Sequence, residues 1–217
     1  MKEIYYKIRS LLPTSYFLLL TACFLLLSPM GVFAGQPSSG VSAIQSTYQK
    51  IQDLQSDFTQ STYVEVLGST IKDRGVFSMK KPGLMRIEYT GEHPKTYISN
   101  GKKLWIIDPE LDQVETHTVS GETVPREALE FLKGFGNMRA LFKVEPWESE
   151  HKEEGHVYLK LTPKSASAHY KWLACDFGPD NILKMMTISN KSGNLSTYIF
   201  TGIKINQGLD KGLFIYK

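Results

Sequence analysis

Cysteine is almost missing from this chain of 217 residues, which has only Cys23 and Cys175. If the first belongs to an exported leader, no internal disulfide can form, and the core alone must stabilise the fold. Cys175 then reads as a small buried apolar side chain. A dominant charge is also absent: 25 Lys and Arg stand against 22 Asp and Glu. Such a balance offers no basic field to a nucleic-acid backbone. The signatures of catalysis are missing too, with no G-x-S-x-G, no Walker loop and no G-x-G-x-x-G. Asp176-Phe177-Gly178 copies a kinase triplet, but no glycine-rich loop or H-R-D precedes it. His93, His117, His151, His156 and His169 match no zinc spacing, and no carboxylate pair stands out as a dyad. The expectation is a protein with no enzymatic activity, no metal and no cofactor.

No apolar run reaches the ~20 residues that a membrane span needs. The shorter run from Tyr16 to Leu27 follows a segment carrying Lys2, Lys7 and Arg9, and leads to Val32-Phe33-Ala34. Basic start, short apolar stretch and small residues at the exit make a secretory signal over residues 1–34, with cleavage after Ala34. The remainder, 35–217, has a length suited to one domain. Removing Lys2, Lys7, Arg9 and Glu3 leaves its charge close to neutral. Leu20-Thr21-Ala22-Cys23 also looks like a lipobox, and an acylated Cys23 would make the chain a lipoprotein. The greasy continuation Phe24 to Leu27 favours Ala34 instead.

What is present is alternation. Gly35 to Gly40 reads as a flexible lead-in, and Ile44, Tyr48, Ile51, Leu54 and Phe58 form one helical stripe. From about Ser56 the period becomes two. Ile71, Phe77 and Met79, then Met85, Ile87 and Tyr89 after the Lys81-Pro82-Gly83 turn, point one way. Further strands are expected at 96–99, 104–107 and 113–119, with Asn100-Gly101 as a hairpin turn. Residues 125–142 then break the pattern. Pro125 starts a helix with Leu129 and Leu132, Gly134-Phe135-Gly136 stops it, and Asn137 caps a second holding Met138 and Leu141. Strands resume at 142–147, 157–162, 170–177, 182–189 and 195–205, with a stub at 213–217. The pattern gives a fold class that is mainly β (α+β), with antiparallel strands, an N-terminal helix and a helical insert.

The inward faces are rich in aromatic and flexible residues: Phe58, Phe77, Met79, Met85, Ile87, Tyr89, Tyr97, Trp105 and Ile107. An ordinary core explains them on composition alone. A lining that adapts to irregular apolar cargo also fits, since methionine and aromatics suit that purpose.

Certain blocks resemble a known family. Asp57-Phe58-Thr59-Gln60 is followed by the run Gly75 to Tyr89. Then come Ile98 to Pro109, with its N-G-x-x-L-W-x-x-D-P core, and later Leu161-Thr162-Pro163-Lys164. In this order they resemble the outer-membrane lipoprotein carrier protein family, the periplasmic LolA chaperones. The resemblance implies an incomplete antiparallel β-barrel, or strongly curved sheet, with an N-terminal helix and a helical lid over its concave apolar face, which takes acylated lipoproteins from an inner-membrane transporter to an outer-membrane receptor. It implies that the aromatic and methionine lining holds acyl chains, and that Leu129, Leu132, Phe135, Met138 and Leu141 belong to a lid. Lys81, before Pro82, stands where the family has a functional arginine; it keeps the charge of a lid latch and loses the planar fork. A monomer is expected. The alternatives are the outer-membrane receptor of the same fold, if Cys23 is lipidated, and a periplasmic lipid or glycolipid carrier.

Overall fold

Residues 37–118, 137–166, 168 and 170–216 are described in the computed structural model. Helix α1 (Pro37–Lys50) leads into eleven strands. They are β1 (Asp53–Val64), β2 (Ser69–Lys80), β3 (Leu84–Tyr89), β4 (Lys95–Asn100), β5 (Lys103–Asp108) and β6 (Gln113–Thr118). After α2 (Met138–Leu141), a single turn, come β7 (Phe142–Pro146), β8 (Val157–Pro163), β9 (Tyr170–Phe177), β10 (Leu183–Asn190) and β11 (Leu195–Ile205). They make one antiparallel sheet in the order β6-β5-β4-β3-β2-β1-β11-β10-β9-β8-β7. Edge strands β6 and β7 do not pair with each other among the described residues, so the barrel is unclosed. The sheet nevertheless curls, because Leu104 of β5 and Phe142 of β7 join one buried cluster on its inner side. The described residues form one compact unit.

α1 presents Val41, Ile44 and Tyr48 to that cluster at steps of three and four, while Ser42, Ser46 and Gln49 stay exposed. Two expectations fail at its ends. The helix already runs through the Pro37–Gly40 lead-in, with proline at its first position. It also stops at Lys50, so Leu54 and Phe58 lie in β1 rather than on the helical stripe. A spacing of four keeps two residues on one face in either structure, so this pair cannot tell a helix from a strand. Tertiary pairing decides: Asp53 faces Lys80 across the β1–β2 ladder. Its buried carboxylate accepts backbone N–H bonds from Gln207 (2.7 Å), Gly208 (3.0 Å) and Leu209 (3.3 Å).

The C-terminal stub is a 3₁₀ turn over Lys211–Phe214, capped by Asp210, which accepts from the N–H of Gly212. Phe214 is buried beside β3 and β4. Asn137 does not cap α2 with its side chain, in contrast to the sequence expectation. The rest of the helical insert, including Leu129, Leu132 and Phe135, lies outside the described residues.

Candidate functional site

Strand register assigns each side chain to a face, since directly opposed residues share one. Met79 faces Met85, and Phe77 faces Ile87, which faces Tyr97. Across the next pair Tyr97 meets Ile106, and Ser99 meets Leu104. On the other side of β1, Phe58 opposes Phe200 and Gln60 opposes Tyr198. The inner face of this half is therefore a trough of methionine, isoleucine and aromatic rings.

Close backbone contact shapes its floor. A Cβ on Gly75 would lie 2.1 Å from the carbonyl oxygen of Glu88 and 2.8 Å from Cζ of Phe58. Glycine there lets the Phe58 ring cross β2 and meet Tyr89 edge-on, with ring centres 5.2 Å apart. Tyr89 in turn packs edge-on against Tyr97 at 6.0 Å, and Phe77 lies 6.3 Å from Phe200.

Polarity changes along the trough. Leu54, Ser56 and Phe58 of β1 are buried, whereas Gln60 and Thr62 are half-buried. At the half-buried end the Tyr89 hydroxyl donates to Gln60 Oε1 (2.8 Å), and Gln60 Nε2 donates to Thr62 Oγ1 (2.9 Å). Thr62 shares a 3.0 Å bond with Ser196. Burial pushes the Tyr89 and Tyr97 phenols above their ordinary pKa, so both stay neutral at physiological pH. At the other end Lys81 Nζ donates to the carbonyls of Tyr48 (2.8 Å) and Gln49 (3.0 Å). A cation on the last carbonyls of α1 complements the helix dipole, and burial lowers the Lys81 pKa.

Several predicted positions fall elsewhere. Trp105 opposes Ile98, and Ile107 opposes Thr96, so both lie on the convex face, not in the trough. Trp105 there packs against Tyr216, ring centres 6.2 Å apart, near the buried Phe214. The cause is a change of parity. Odd residues pair with odd ones through β2, β3 and β4, but the tight turn after Asn100 pairs odd Tyr97 with even Ile106. Leu104 and Ile106 are the inward residues of β5. They were missed because four consecutive apolar residues, Leu104 to Ile107, show no alternation. Tyr198 and Phe200 were missed because only the long-range β1–β11 pairing brings them to Phe58. Lys81 is engaged with α1, and the part of the insert it was expected to latch lies outside the described residues. Of the expected lid residues within the described region, Met138 is buried in the core and Leu141 is partly exposed.

An unclosed half-barrel with an aromatic- and methionine-lined trough defines a binding protein for apolar ligands. Among the described residues no group of three His, Cys, Asp or Glu is placed to hold a metal ion. The chain belongs to the outer-membrane lipoprotein carrier family: the family model "Outer membrane lipoprotein carrier protein LolA" matches residues 49–217. An outer-membrane lipoprotein carrier protein of Azotobacter vinelandii is 30% identical over 203 residues, covering 92% of each chain. That of Methylococcus capsulatus is 28% identical, covering 80% of this chain and 81% of the relative. Among solved structures, a LolA superfamily protein from Nitrosomonas europaea gives a TM-score of 0.46 at 14% identity, covering 84% of this chain and 99% of that one.

Proposed function

We propose that this protein is a periplasmic carrier that holds the acyl chains of lipoproteins in its trough and moves them from the inner to the outer membrane. The observation that carries the reading is the trough itself: lined by methionine, isoleucine and aromatic side chains, and graded from a buried apolar end to a hydrogen-bonding end. Phe58, Phe77, Met79, Met85, Ile87, Tyr89 and Tyr97 are proposed to touch acyl chains. Burying a methylene is worth about 0.8 kcal/mol, so one chain of ~14 methylenes gains roughly 11 kcal/mol in a dry cavity. That is ample for carriage with no covalent step.

The partners in this reading are acylated lipoproteins, an inner-membrane lipoprotein-releasing transporter and an outer-membrane receptor. Export by the leader and cleavage after Ala34 would place Gly35 at the mature N-terminus. Sequencing the N-terminus of protein taken from the periplasm checks this, and an acylated Cys23 would reassign the chain to the receptor alternative. The direct test is loading. Purified mature protein should retain a triacylated lipopeptide through gel filtration, and Ile87→Asp should abolish retention while circular dichroism shows the fold intact. A folded Ile87→Asp variant that loads normally would remove the trough from the cargo site. Native protein that returns from the periplasm with glycolipid and no lipoprotein would support the lipid-carrier alternative.

A further inference from the structure

β1 and β2 are each 12 residues long, twice the length of β3 at 6 residues. Pairing with β3 ends where Gly75 meets Tyr89, so Ser69 to Arg74 run past it. β11 accompanies β1 as far as Tyr63 and Leu195. The overhang continues from the Gln60 and Thr62 end of the trough, away from the end closed by Lys81 and α1. Its tip is a 3₁₀ turn, Glu65–Leu67, closed by Gly68 in the left-handed region (φ 57°). The turn is held in place: the Glu65 N–H donates to Asn194 Oδ1 at 3.1 Å. Yet its apolar side chains point outward, with Val66 88% and Leu67 66% exposed. Tyr63, Ile71 and Leu195 behind them are exposed as well. A surface turn made only to connect two strands would be polar.

A second feature lies behind the tip. Lys72 and Arg74, both exposed, line a groove of about 800 Å³ with the hydroxyl residues Thr59, Ser61 and Thr197. Asp73 and Glu92 share the groove, Asp73 as the cross-strand partner of inward-facing Gln60. Val64 and Ser69 close the hairpin. Counting from Ser69 at ~3.3 Å per residue sets Lys72 roughly 10 Å and Arg74 roughly 16 Å behind the end of the ladder. Aliphatic side chains at a point, a phenol beside them, and two cations with hydroxyls set back by that depth match the layering of a phospholipid surface. The apolar groups reach the acyl boundary while the cations and hydroxyls meet phosphate oxygens.

We infer that the β1–β2 hairpin tip is a membrane-contacting element that seats the Gln60 end of the trough on a phospholipid bilayer. Val66 and Leu67 enter the interface, and Lys72 and Arg74 bind lipid phosphate. The contact is distinct from cargo binding and fails separately from it. The test is co-sedimentation of full mature protein, empty and loaded with lipopeptide, with vesicles of phosphatidylethanolamine and phosphatidylglycerol. Wild type should pellet with the vesicles. The double variant Val66→Glu and Leu67→Glu should lose about tenfold or more of that binding, because an interfacial contact scales with its buried apolar area. Its melting curve and lipopeptide loading should be unchanged. Lys72→Ala with Arg74→Ala should weaken binding to these vesicles, and more so than the weaker binding to pure phosphatidylcholine, whose headgroup carries no net charge, while Ile87→Asp should pellet like wild type. Wild-type protein that stays in the supernatant in both states overturns the inference, as does a tip variant that pellets normally. If the tip variant is impaired only when membrane proteins are reconstituted into the vesicles, the tip docks on a protein and the lipid assignment is wrong.

Discussion

The inner faces of β8–β10 and of β2–β5 are both apolar, and they differ in how that surface is covered. In the first, Leu159, Leu161, Leu173, Cys175 and Phe177 are all buried. α1 covers this half: Tyr48 meets Phe177 edge-on at 6.4 Å, and its hydroxyl accepts the N–H of Leu183 at 3.1 Å. In the second, Ile87, Tyr89, Tyr97 and Ile106 pack against the same cluster but are only half-buried. One sheet thus carries a filled half that stabilises the fold and a half whose apolar surface is less completely covered. A carrier needs both. Close packing supplies the stability that no disulfide provides, and a half-buried face keeps apolar surface available to a ligand.

The sharpest way to break this comparison is to truncate one residue in each half. Leu161→Ala should cost about 2–5 kcal/mol, as expected for a fully buried leucine, read from the denaturant midpoint, with lipopeptide loading retained. Ile87→Ala should cost about 1 kcal/mol, because less of its area leaves water on folding, and should weaken loading more than stability. If Leu161→Ala is the mild variant, or if it alone abolishes loading, the division between the halves is wrong.

The convex face gives a smaller effect and a cleaner separation. Trp105→Ala removes a half-buried ring that packs on Tyr216. It should cost about 2 kcal/mol, less than a fully buried tryptophan, and leave loading unchanged. A loss of loading in a folded Trp105→Ala protein would return this residue to the trough and contradict the register. Next is Lys81→Met, which strips the cation from the last carbonyls of α1. The expected cost is about 1 kcal/mol, and it should shrink in high salt.

Much of this arrangement was legible in the chain because strands with one buried face alternate. Phe77, Met79, Met85 and Ile87 announced a common face, and the Lys81-Pro82-Gly83 turn preserved their parity. The Asn100-Gly101 turn was legible in place but not in consequence. Asn100 Oδ1 accepts the N–H bonds of Lys102 (2.9 Å) and Lys103 (2.8 Å), while Gly101 alone takes the positive φ of 85°. That tight geometry swaps the inward parity for β5, and the unbroken apolar run Leu104 to Ile107 gave no signal to detect it. The end of α1 was hidden for a different reason. Leu54 and Phe58 satisfy both periods, and the Asp53 carboxylate that favours the strand bonds to residues some 150 positions away in sequence (|i−j| = 154 for Gln207).

The smallest expected effect concerns the filled half at alkaline pH. Cys175 is fully buried, and burial pushes its thiol pKa far up, so it remains a neutral thiol in the folded protein. In the unfolded chain it ionises near its ordinary value of about 8.5. Above that pH the unfolded state binds fewer protons than the folded state, so stability falls as pH rises. The loss from this one group should be about 0.8 kcal/mol near pH 9. A second decline should set in above about pH 10, because Tyr48 and Tyr89 are also held neutral by burial. Cys175→Ala should remove the first decline and keep the second. The measurement is the urea midpoint of both proteins at intervals from neutral to alkaline pH. Parallel curves below pH 10 would mean that the Cys175 thiol ionises inside the folded protein, and that the β8–β10 half is not the sealed core its packing describes. Alkylation gives an independent reading of the same point: native protein should resist iodoacetamide at mildly alkaline pH and react only once urea unfolds it.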